Sequence, residues 1–242
     1  MQSTTAEEIC NEDMALRAQA RAEEMISCQG FLGVPVETFA GAGRRQLDAL
    51  LEEGLRPESR VLDIGCGCLR AAYWLIHYLD PGRYHGIEPA RRRVECGLRY
   101  LFTPEEVRRK QPRFDHNPHF DSSVFGAPFE FFLAGSIWTH ASKRQVAAML
   151  DSFLRGSTSA TVFLTSYLAA ASADDDYQGD AWVGTSHESD TPGVIRHSLA
   201  WIAEQCRRRA LQVEELPSPA FDDQSWLRIS RAPLLARSAA VG

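Results

Sequence analysis

The stretch 60–70, RVLDIGCGCLR, constrains the fold of this chain more than any other segment. Residues 61–64 are mostly apolar and include Val and Ile, which is typical of a short central strand in a parallel sheet. Gly65 and Gly67 then allow the backbone to turn sharply and to bring its N–H groups close to a ligand. Apolar side chains recur at helical spacing between residues 69 and 79. The stretch therefore predicts a strand, a glycine turn and a helix, and ligands of open α/β sheets bind at such a turn.

The residues around the two glycines indicate which ligand the turn binds. The dinucleotide fingerprint needs a small residue three positions after its second glycine, and Arg70 occupies that position. The carboxylate of Asp63, two residues before the first glycine, would repel a pyrophosphate and suits a cationic ligand. Glu88 ends the second predicted strand, 21 residues after Gly67, and can accept hydrogen bonds from both hydroxyls of a ribose. These residues argue against NAD and favour a positively charged ligand that contains a ribose.

The motifs VLDIGCG and GIEP, which contain these residues, resemble the first glycine motif and the second-strand acid motif of the class I S-adenosylmethionine (SAM) methyltransferases. The resemblance extends from about Phe39 to Ser230. One position departs from the family pattern, because the family often has a third alternate glycine where this chain has Leu69. The resemblance implies SAM as the cofactor and S-adenosylhomocysteine (SAH) as its product. The alternative is an α/β sheet whose glycine turn binds no ligand.

The resemblance also implies the architecture, which is α/β. We expect a seven-stranded, mostly parallel sheet with an antiparallel last strand and helices on both faces. The segments 211–216 and 224–230 alternate in polarity like half-buried strands and predict the antiparallel pair. Residues 39–232 form the SAM-binding domain in this scheme, and residues 1–38 form an N-terminal helical cap. Such helices often cover the active site in small-molecule methyltransferases of the family, and packing against the sheet edge alone is the alternative.

The resemblance assigns the cofactor site to residues near the ends of the early strands. Phe120 or Asp121, after the third strand, corresponds to the family's contact with the adenine amino group, although Asp121 could equally cap a turn. Arg70 could pair with the carboxylate of the ligand or lie on the surface. The full predicted cofactor set is Asp63, Gly65, Cys66, Gly67, Arg70, Glu88, Pro89, Phe120, Asp121, Gly135 and Ser136.

A candidate catalytic residue follows the fourth predicted strand, 128–133. The run GSIWTH, 135–140, resembles a Ser-x-aromatic-Thr-His segment that lines the pocket near the transferred methyl group in a bacterial branch of these methyltransferases. A histidine at this place can remove the proton from a hydroxyl nucleophile, so we predict His140 as general base or substrate positioner. The alternative is that its ring bonds to the backbone and fixes the loop. His187 and His197 are weaker candidates.

The segment 167–187 has no regular pattern, and such a long irregular stretch inside a compact domain is usually functional or disordered. Its aromatic residues offer flat apolar surfaces with polar edges, which suit a small organic molecule. We predict that the substrate binds between the segment 167–197 and the loop after the fourth strand, in contact with Trp138, Tyr177, Trp182 and His197. The alternative is that the aromatic residues only attach a surface loop to the core.

The composition of the chain indicates which kinds of partner it does not bind. The chain of 242 residues has a formal net charge of −6 and no concentrated basic tract, which disfavours non-specific binding to nucleic acid. The N-terminus lacks the basic and apolar regions of a signal peptide, and the uncharged run 156–173 is rich in Ser and Thr. The six cysteines fit neither a zinc pattern nor a disulfide framework. We therefore expect a cytoplasmic monomer or homodimer that binds no metal, membrane or nucleic acid.

The predicted function is SAM-dependent methylation of a small organic molecule at oxygen or nitrogen, with natural-product biosynthesis as its context. Two alternatives remain open. The first is a SAM-binding protein of the same fold that does not methylate. The second is a protein or nucleic-acid methyltransferase, which the acidic balance and the absence of an Asn-Pro-Pro-Tyr-type motif disfavour.

Overall fold

The computed structural model describes residues 12–30, 32–33, 35–185, 189 and 191–232. The strands of its sheet are β1 (Val61–Ile64), β2 (Tyr84–Ile87), β3 (Arg113–Asp115), β4 (Phe129–Ala134), β5 (Ser157–Tyr167), β6 (Leu211–Pro219) and β7 (Ser225–Arg231). The α-helices are α1 (Glu12–Gln29), α2 (Phe39–Glu52), α3 (Arg70–Tyr78), α4 (Arg91–Leu101), α5 (Pro104–Lys110), α6 (Lys143–Gly156) and α7 (Leu199–Arg207). Short 3-10 helices cover Val36–Thr38 and Ser122–Phe125.

The seven strands form one sheet in the order β3-β2-β1-β4-β5-β7-β6. Strand β1 pairs in parallel with both β2 and β4, whereas β7 runs antiparallel to β5 and β6. This confirms the predicted mostly parallel sheet with an antiparallel last strand. After β1 the chain forms β2 and β3 on one side of this strand, and it then returns to form β4 on the other side of β1. Open α/β sheets bind ligands at this reversal, at the carboxyl ends of the strands.

Helices cover both faces of the sheet because its central strands are apolar on both sides. Val61 and Leu133 belong to an apolar cluster that packs the sheet against α1, α2, α3 and α4. Leu62 and Phe132, their chain neighbours, belong to a second cluster that includes residues of α6 and α7. Neighbouring residues reach opposite clusters because side chains alternate along a strand. The two cores therefore hold the carboxyl ends of β1 and β4 rigidly on both sides.

The chain between β2 and β3 forms two helices. After α4 ends, Thr103 starts α5 as a separate helix, because its side chain accepts a hydrogen bond from the Glu106 N–H and the Glu106 side chain accepts one from the Thr103 N–H. This reciprocal cap satisfies N–H groups at a helix start, and it turns the chain toward the short β3.

The N-terminal helix α1 packs against α2 and α4. Ala18, Ala22 and Met25 on its inner face are fully buried. The boundary between a 1–38 extension and a 39–232 domain stays a prediction, although α2 does begin at Phe39. Among the described helices, none combines the length and the apolar character that crossing a membrane would require.

Close packing of α2 on the start of α3 depends on Gly43. A Cβ at this position would overlap the carbonyl oxygen of Arg70, which is a backbone atom and cannot move aside cheaply. We expect Gly43→Ala to lower the free energy of unfolding by about 1–3 kcal/mol, as overpacking does. Gly41→Ala is the matched control in the same helix, because a Cβ there meets nothing within 4 Å. This control should be neutral or stabilise by up to about 1 kcal/mol, since alanine favours the helix.

Urea denaturation of both variants measures the difference. An unchanged free energy of unfolding in Gly43→Ala would mean that the two helices can move apart without cost.

Candidate active site

A cavity of about 620 Å³ lies at the carboxyl ends of β1, β2 and β4. We call one part of its lining the motif side. It is formed by the end of β1 and the turn after it, the start of α3, α4, the turn between β6 and β7, and Glu88, and its charged residues are Asp63, Arg70, Glu88, Arg93 and Asp222. Its loop side consists of His140, Leu168 and the lining residues between 182 and 194. On the loop side, His140 is the one titratable group among the described lining residues. The charged groups of the cavity therefore concentrate on the motif side.

The turn after β1 brings backbone N–H groups to the cavity. Gly65 has a φ of 73°, and a Cβ there would overlap the Ile137 side chain, so this position requires glycine. The Gly65 N–H donates to the carbonyl of Ile87 (2.8 Å), which ties the turn to the end of β2. The Gly67 N–H donates to the Glu88 carboxylate (3.0 Å). The predicted strand, turn and acid thus meet in one place.

Glu88 is buried at the end of β2 and lines the cavity. One carboxylate oxygen accepts from the Gly67 N–H, and the other accepts from the Ala90 N–H (2.9 Å). Because each carboxylate oxygen has two acceptor sites, further hydrogen bonds from a ligand remain possible. The carboxylate therefore both fixes the glycine turn and offers acceptors to the cavity.

Asp63 also lines the cavity, but its surroundings reduce its charge. The Tyr84 hydroxyl donates to its Oδ2 (2.8 Å). Burial raises the pKa of Asp63 to about 7, against the opposing effects of the Tyr84 hydrogen bond and the Arg70 charge. A carboxyl group with this pKa is partly protonated near neutral pH. Asp63 is therefore a weaker partner for a cation than the sequence alone suggested.

Arg70 is buried and faces the cavity, which decides between the two interpretations of this residue. Its guanidinium lies over the Phe221 ring, 5.0 Å from the centroid. Burial lowers the pKa of Arg70 to about 10, while the nearby charges of Asp63 and Asp222 raise it. The group stays positive at neutral pH, and its Nη1 has no hydrogen-bond partner among the described residues. A buried donor of this kind calls for an anionic ligand group.

His140 lines the loop side and bonds to the backbone of Val183. Its Nδ1 bonds to the Val183 carbonyl (2.8 Å), and its ring stacks on Trp182 at 5.8 Å. Burial lowers its pKa below the ordinary 6.5, the Arg93 and Arg70 charges lower it further, and hydrogen bonding to the carbonyls of Val183 and Gly193 raises it. The imidazole is therefore neutral at pH 7. Since the Val183 carbonyl needs a proton on Nδ1, Nε2 is the basic nitrogen.

Two predicted cofactor residues lie outside the cavity lining. Asp121 caps the 3-10 helix that follows it, because its carboxylate accepts from the Ser123 N–H (3.1 Å) and pairs with Arg155 at 3.4 Å. The turn-capping interpretation of Asp121 is thus the one that the contacts support. Phe120 does line the cavity, whereas Pro89 only follows Glu88. Gly135, Ser136 and Cys66, which the sequence also assigned to the cofactor site, line it as well.

Of the predicted substrate residues, the structure brings only Trp182 to the cavity. Trp138 is fully buried in the core against Phe163. His197 is fully buried as well, with its Nε2 bonded to the Ala141 carbonyl (2.9 Å). Tyr177 borders a separate surface depression, where its hydroxyl donates to the Ala181 carbonyl (3.0 Å). These three residues support the cavity walls or lie beside them. His187 lies outside the described residues.

The structure adds lining residues that sequence reasoning missed. Gln46 reaches the cavity from α2, and a Cβ on Gly135 would overlap its amide oxygen. Asp222 and Gln224 arrive from the turn between β6 and β7. No local motif marks these three positions, because their place in the site depends on how distant elements pack.

Several cavity residues have an unusual backbone conformation. Phe120, Ser136 and Asp222 line the cavity and have positive φ of 56°, 62° and 53°, and Leu69 in the turn beside it has a φ of 66°, although none is glycine. Left-handed backbone costs roughly 1–2 kcal/mol for such residues and is often concentrated at functional sites. Leu69 occupies the position where the family often has glycine. Its fully buried side chain packs in the core and helps to offset this cost.

Comparison with known proteins identifies the fold. No protein-family model matches the chain, and no curated protein matches it by sequence. The structure of DhpI in complex with SAH covers 92% of this chain and 97% of its own, with a TM-score of 0.59 and 12% identity.

Two further structures carry bound cofactor or product. Magnesium protoporphyrin IX methyltransferase (ChlM) from Synechocystis PCC 6803 with bound SAH covers 88% of this chain and 93% of its own, at TM-score 0.56 and 14% identity. The glycopeptide N-methyltransferase MtfA complexed with SAM covers 79% and 94%, at TM-score 0.56 and 12% identity. Together with the strand order, these matches show that the chain has the fold of the class I SAM-dependent methyltransferases.

Proposed function

We propose that this protein is a SAM-dependent methyltransferase that acts on a small organic molecule, at oxygen or nitrogen, in natural-product biosynthesis. The observation that carries the proposal is one continuous cavity with two chemically different sides. The motif side offers charged groups and turn N–H groups, and the loop side offers apolar walls with a neutral histidine. Such a cavity can hold two ligands in contact, the charged cofactor on the motif side and the acceptor on the loop side.

The residues of the motif side fit SAM. The Arg70 Nη1, buried and without a partner among the described residues, suits the carboxylate of the amino-acid part. The carboxylate of Glu88 suits the ribose hydroxyls. Phe120 and Ile137 supply apolar surface for a flat base. When bound, SAM would supply a methyl group on a positively charged sulfur.

The residues of the loop side favour a small and largely apolar acceptor. Leu168, Trp182, Pro192 and Val194 line it without a charged group among the described lining residues. Pockets for small ligands are typically lined by such side chains, with a few polar groups that fix orientation. The structures of similar fold include enzymes named for magnesium protoporphyrin IX and for glycopeptides, which supports an organic acceptor.

We assign His140 the role of general base. Methyl transfer to a hydroxyl requires removal of its proton, and the neutral Nε2 of His140 can accept it. The bond from Nδ1 to the Val183 carbonyl fixes the ring orientation. The stacked Trp182 ring then presents an apolar surface beside the base, which excludes water and orients the acceptor.

Binding and transfer experiments test this function. Calorimetry should show that SAM and SAH bind and that NAD does not, because Arg70 occupies the position where the dinucleotide fingerprint needs a small residue. Incubation with methyl-labelled SAM and cell extract should then label small molecules. Label in RNA or protein would favour a macromolecular acceptor instead, and tight SAH binding without any transfer would favour a protein that does not methylate.

A further inference from the structure

The turn between β6 and β7 forms part of the cavity wall. Ala220 and Gln224 close it through the bond from the Ala220 N–H to the Gln224 carbonyl (3.0 Å). Asp222 and Asp223 at its tip have positive φ of 53° and 60°. Both aspartates are exposed, but only Asp222 lines the cavity. Two consecutive non-glycine residues with positive φ give this turn an unusual backbone conformation.

The side chain of Gln224 anchors this turn to the sheet. Its Oε1 accepts from the Ser166 hydroxyl (2.7 Å), and its Nε2 donates to the Ser136 hydroxyl (2.8 Å). The Ser136 N–H in turn donates to the Ser166 hydroxyl oxygen (2.7 Å). Gln224 is buried, so these bonds are protected from water. The turn is therefore fixed to the ends of β4 and β5, beside the cavity.

The same turn supports Arg70. The buried Phe221 ring lies under the guanidinium, 5.0 Å from its centre. A cation over an aromatic face is stabilised without using its N–H donors. Phe221 can thus hold the charge in place while the Arg70 Nη1 stays without a partner among the described residues. The negative charge of Asp222 is close enough to Arg70 to act on it.

We propose that this turn completes the binding site for the amino-acid end of SAM: Asp222 accepts hydrogen bonds from the ammonium group, and Phe221 positions Arg70 for the carboxylate. The assignment rests on the proposed function, because it requires a ligand with a zwitterionic end. Arg70 and Asp222 present opposite charges to one cavity, as such an end requires. Asp63 is the competing carboxyl group, but one of its oxygens is already bonded to Tyr84.

The test compares two ligands that share a nucleoside and a thioether. SAH carries the amino-acid end, and 5′-methylthioadenosine lacks it. Asp222→Asn and Phe221→Leu should each weaken SAH binding by about tenfold or more in calorimetry, since each affects a charge-assisted contact. Both variants should bind 5′-methylthioadenosine within about twofold of the wild-type protein.

Asp223→Asn is the matched control, because it changes the same residue type in the same backbone conformation outside the cavity. It should leave binding of both ligands unchanged. Asn also tolerates positive φ, so Asp222→Asn keeps the turn even if Phe221→Leu unfolds the protein.

Three outcomes would overturn the inference. Unchanged SAH affinity in Asp222→Asn would remove Asp222 from the site. An equal loss for both ligands would mean that the turn only supports the pocket as a whole. Wild-type protein that binds neither ligand would refute the proposed function itself, and with it this assignment.

Discussion

Replacing His140 with Asn should slow methyl transfer by about 10²–10⁴-fold, the contribution of a positioned general base. The Asn amide can donate to the Val183 carbonyl as the imidazole Nδ1 does, so the bond to Val183 is retained. It cannot accept a proton, because an amide nitrogen has no basic lone pair. The variant therefore separates a catalytic role from a structural one. SAH affinity should stay close to the wild-type value, since His140 lies on the loop side.

The pH profile of methyl transfer provides a second test of His140. Burial lowers the pKa of His140 below 6.5. The neutral ring is the base, so activity should be constant through pH 7 and should fall only below pH 6.5, as the ring becomes protonated. This acidic limb should be absent from the residual activity of His140→Asn. A variant that keeps wild-type turnover, with normal folding, would show that the ring only holds the loop.

Replacing Glu88 with Gln should weaken SAH binding by about 100-fold or more. Two charge-assisted hydrogen bonds from the ribose would be lost or weakened, each worth roughly 1.5–3 kcal/mol. The amide nitrogen of Gln also cannot accept from the Gly67 or Ala90 N–H, so the glycine turn loses one of its fixed points. Calorimetry on SAH measures the total effect. Asp115→Asn is the control, since this carboxylate bonds to Asn117 near the same edge of the sheet and does not line the cavity.

A ligand comparison separates ribose recognition from support of the turn. The wild-type protein should bind 5′-methylthioadenosine at least about tenfold more tightly than its 2′,3′-dideoxy analogue, because the two hydroxyls donate to Glu88. In Glu88→Gln this preference should largely disappear. If the preference is equal in both proteins, Glu88 does not contact the ribose, and its role is limited to fixing the turn.

The sequence by itself determined the centre of the fold. Residues 61–64 are mostly apolar, and the glycines that follow permit a turn that other residues would block, so strand, turn and helix follow from local chemistry. The acid at the end of the second strand, Glu88, followed from its spacing to Gly67. His140 followed from its place after the fourth strand and from the resemblance of its segment to the family. Both residues line the cavity because strand ends of a parallel sheet meet at one edge, and their roles stay predictions.

Only the tertiary structure decided which side chains enter the cavity. Trp138 and Trp182 are equal in chemistry, yet the first packs into the core and the second lines the site, because the direction of a loop side chain depends on its neighbours. The sequence left open whether Arg70 lies on the surface, and the structure shows that it is buried against Phe221 and lines the cavity. Asp222 and Gln224 are far from the glycine motif in sequence. The pairing of β6 with β7 and the bonds of Gln224 to Ser136 and Ser166 bring them to it, and no local pattern encodes that approach.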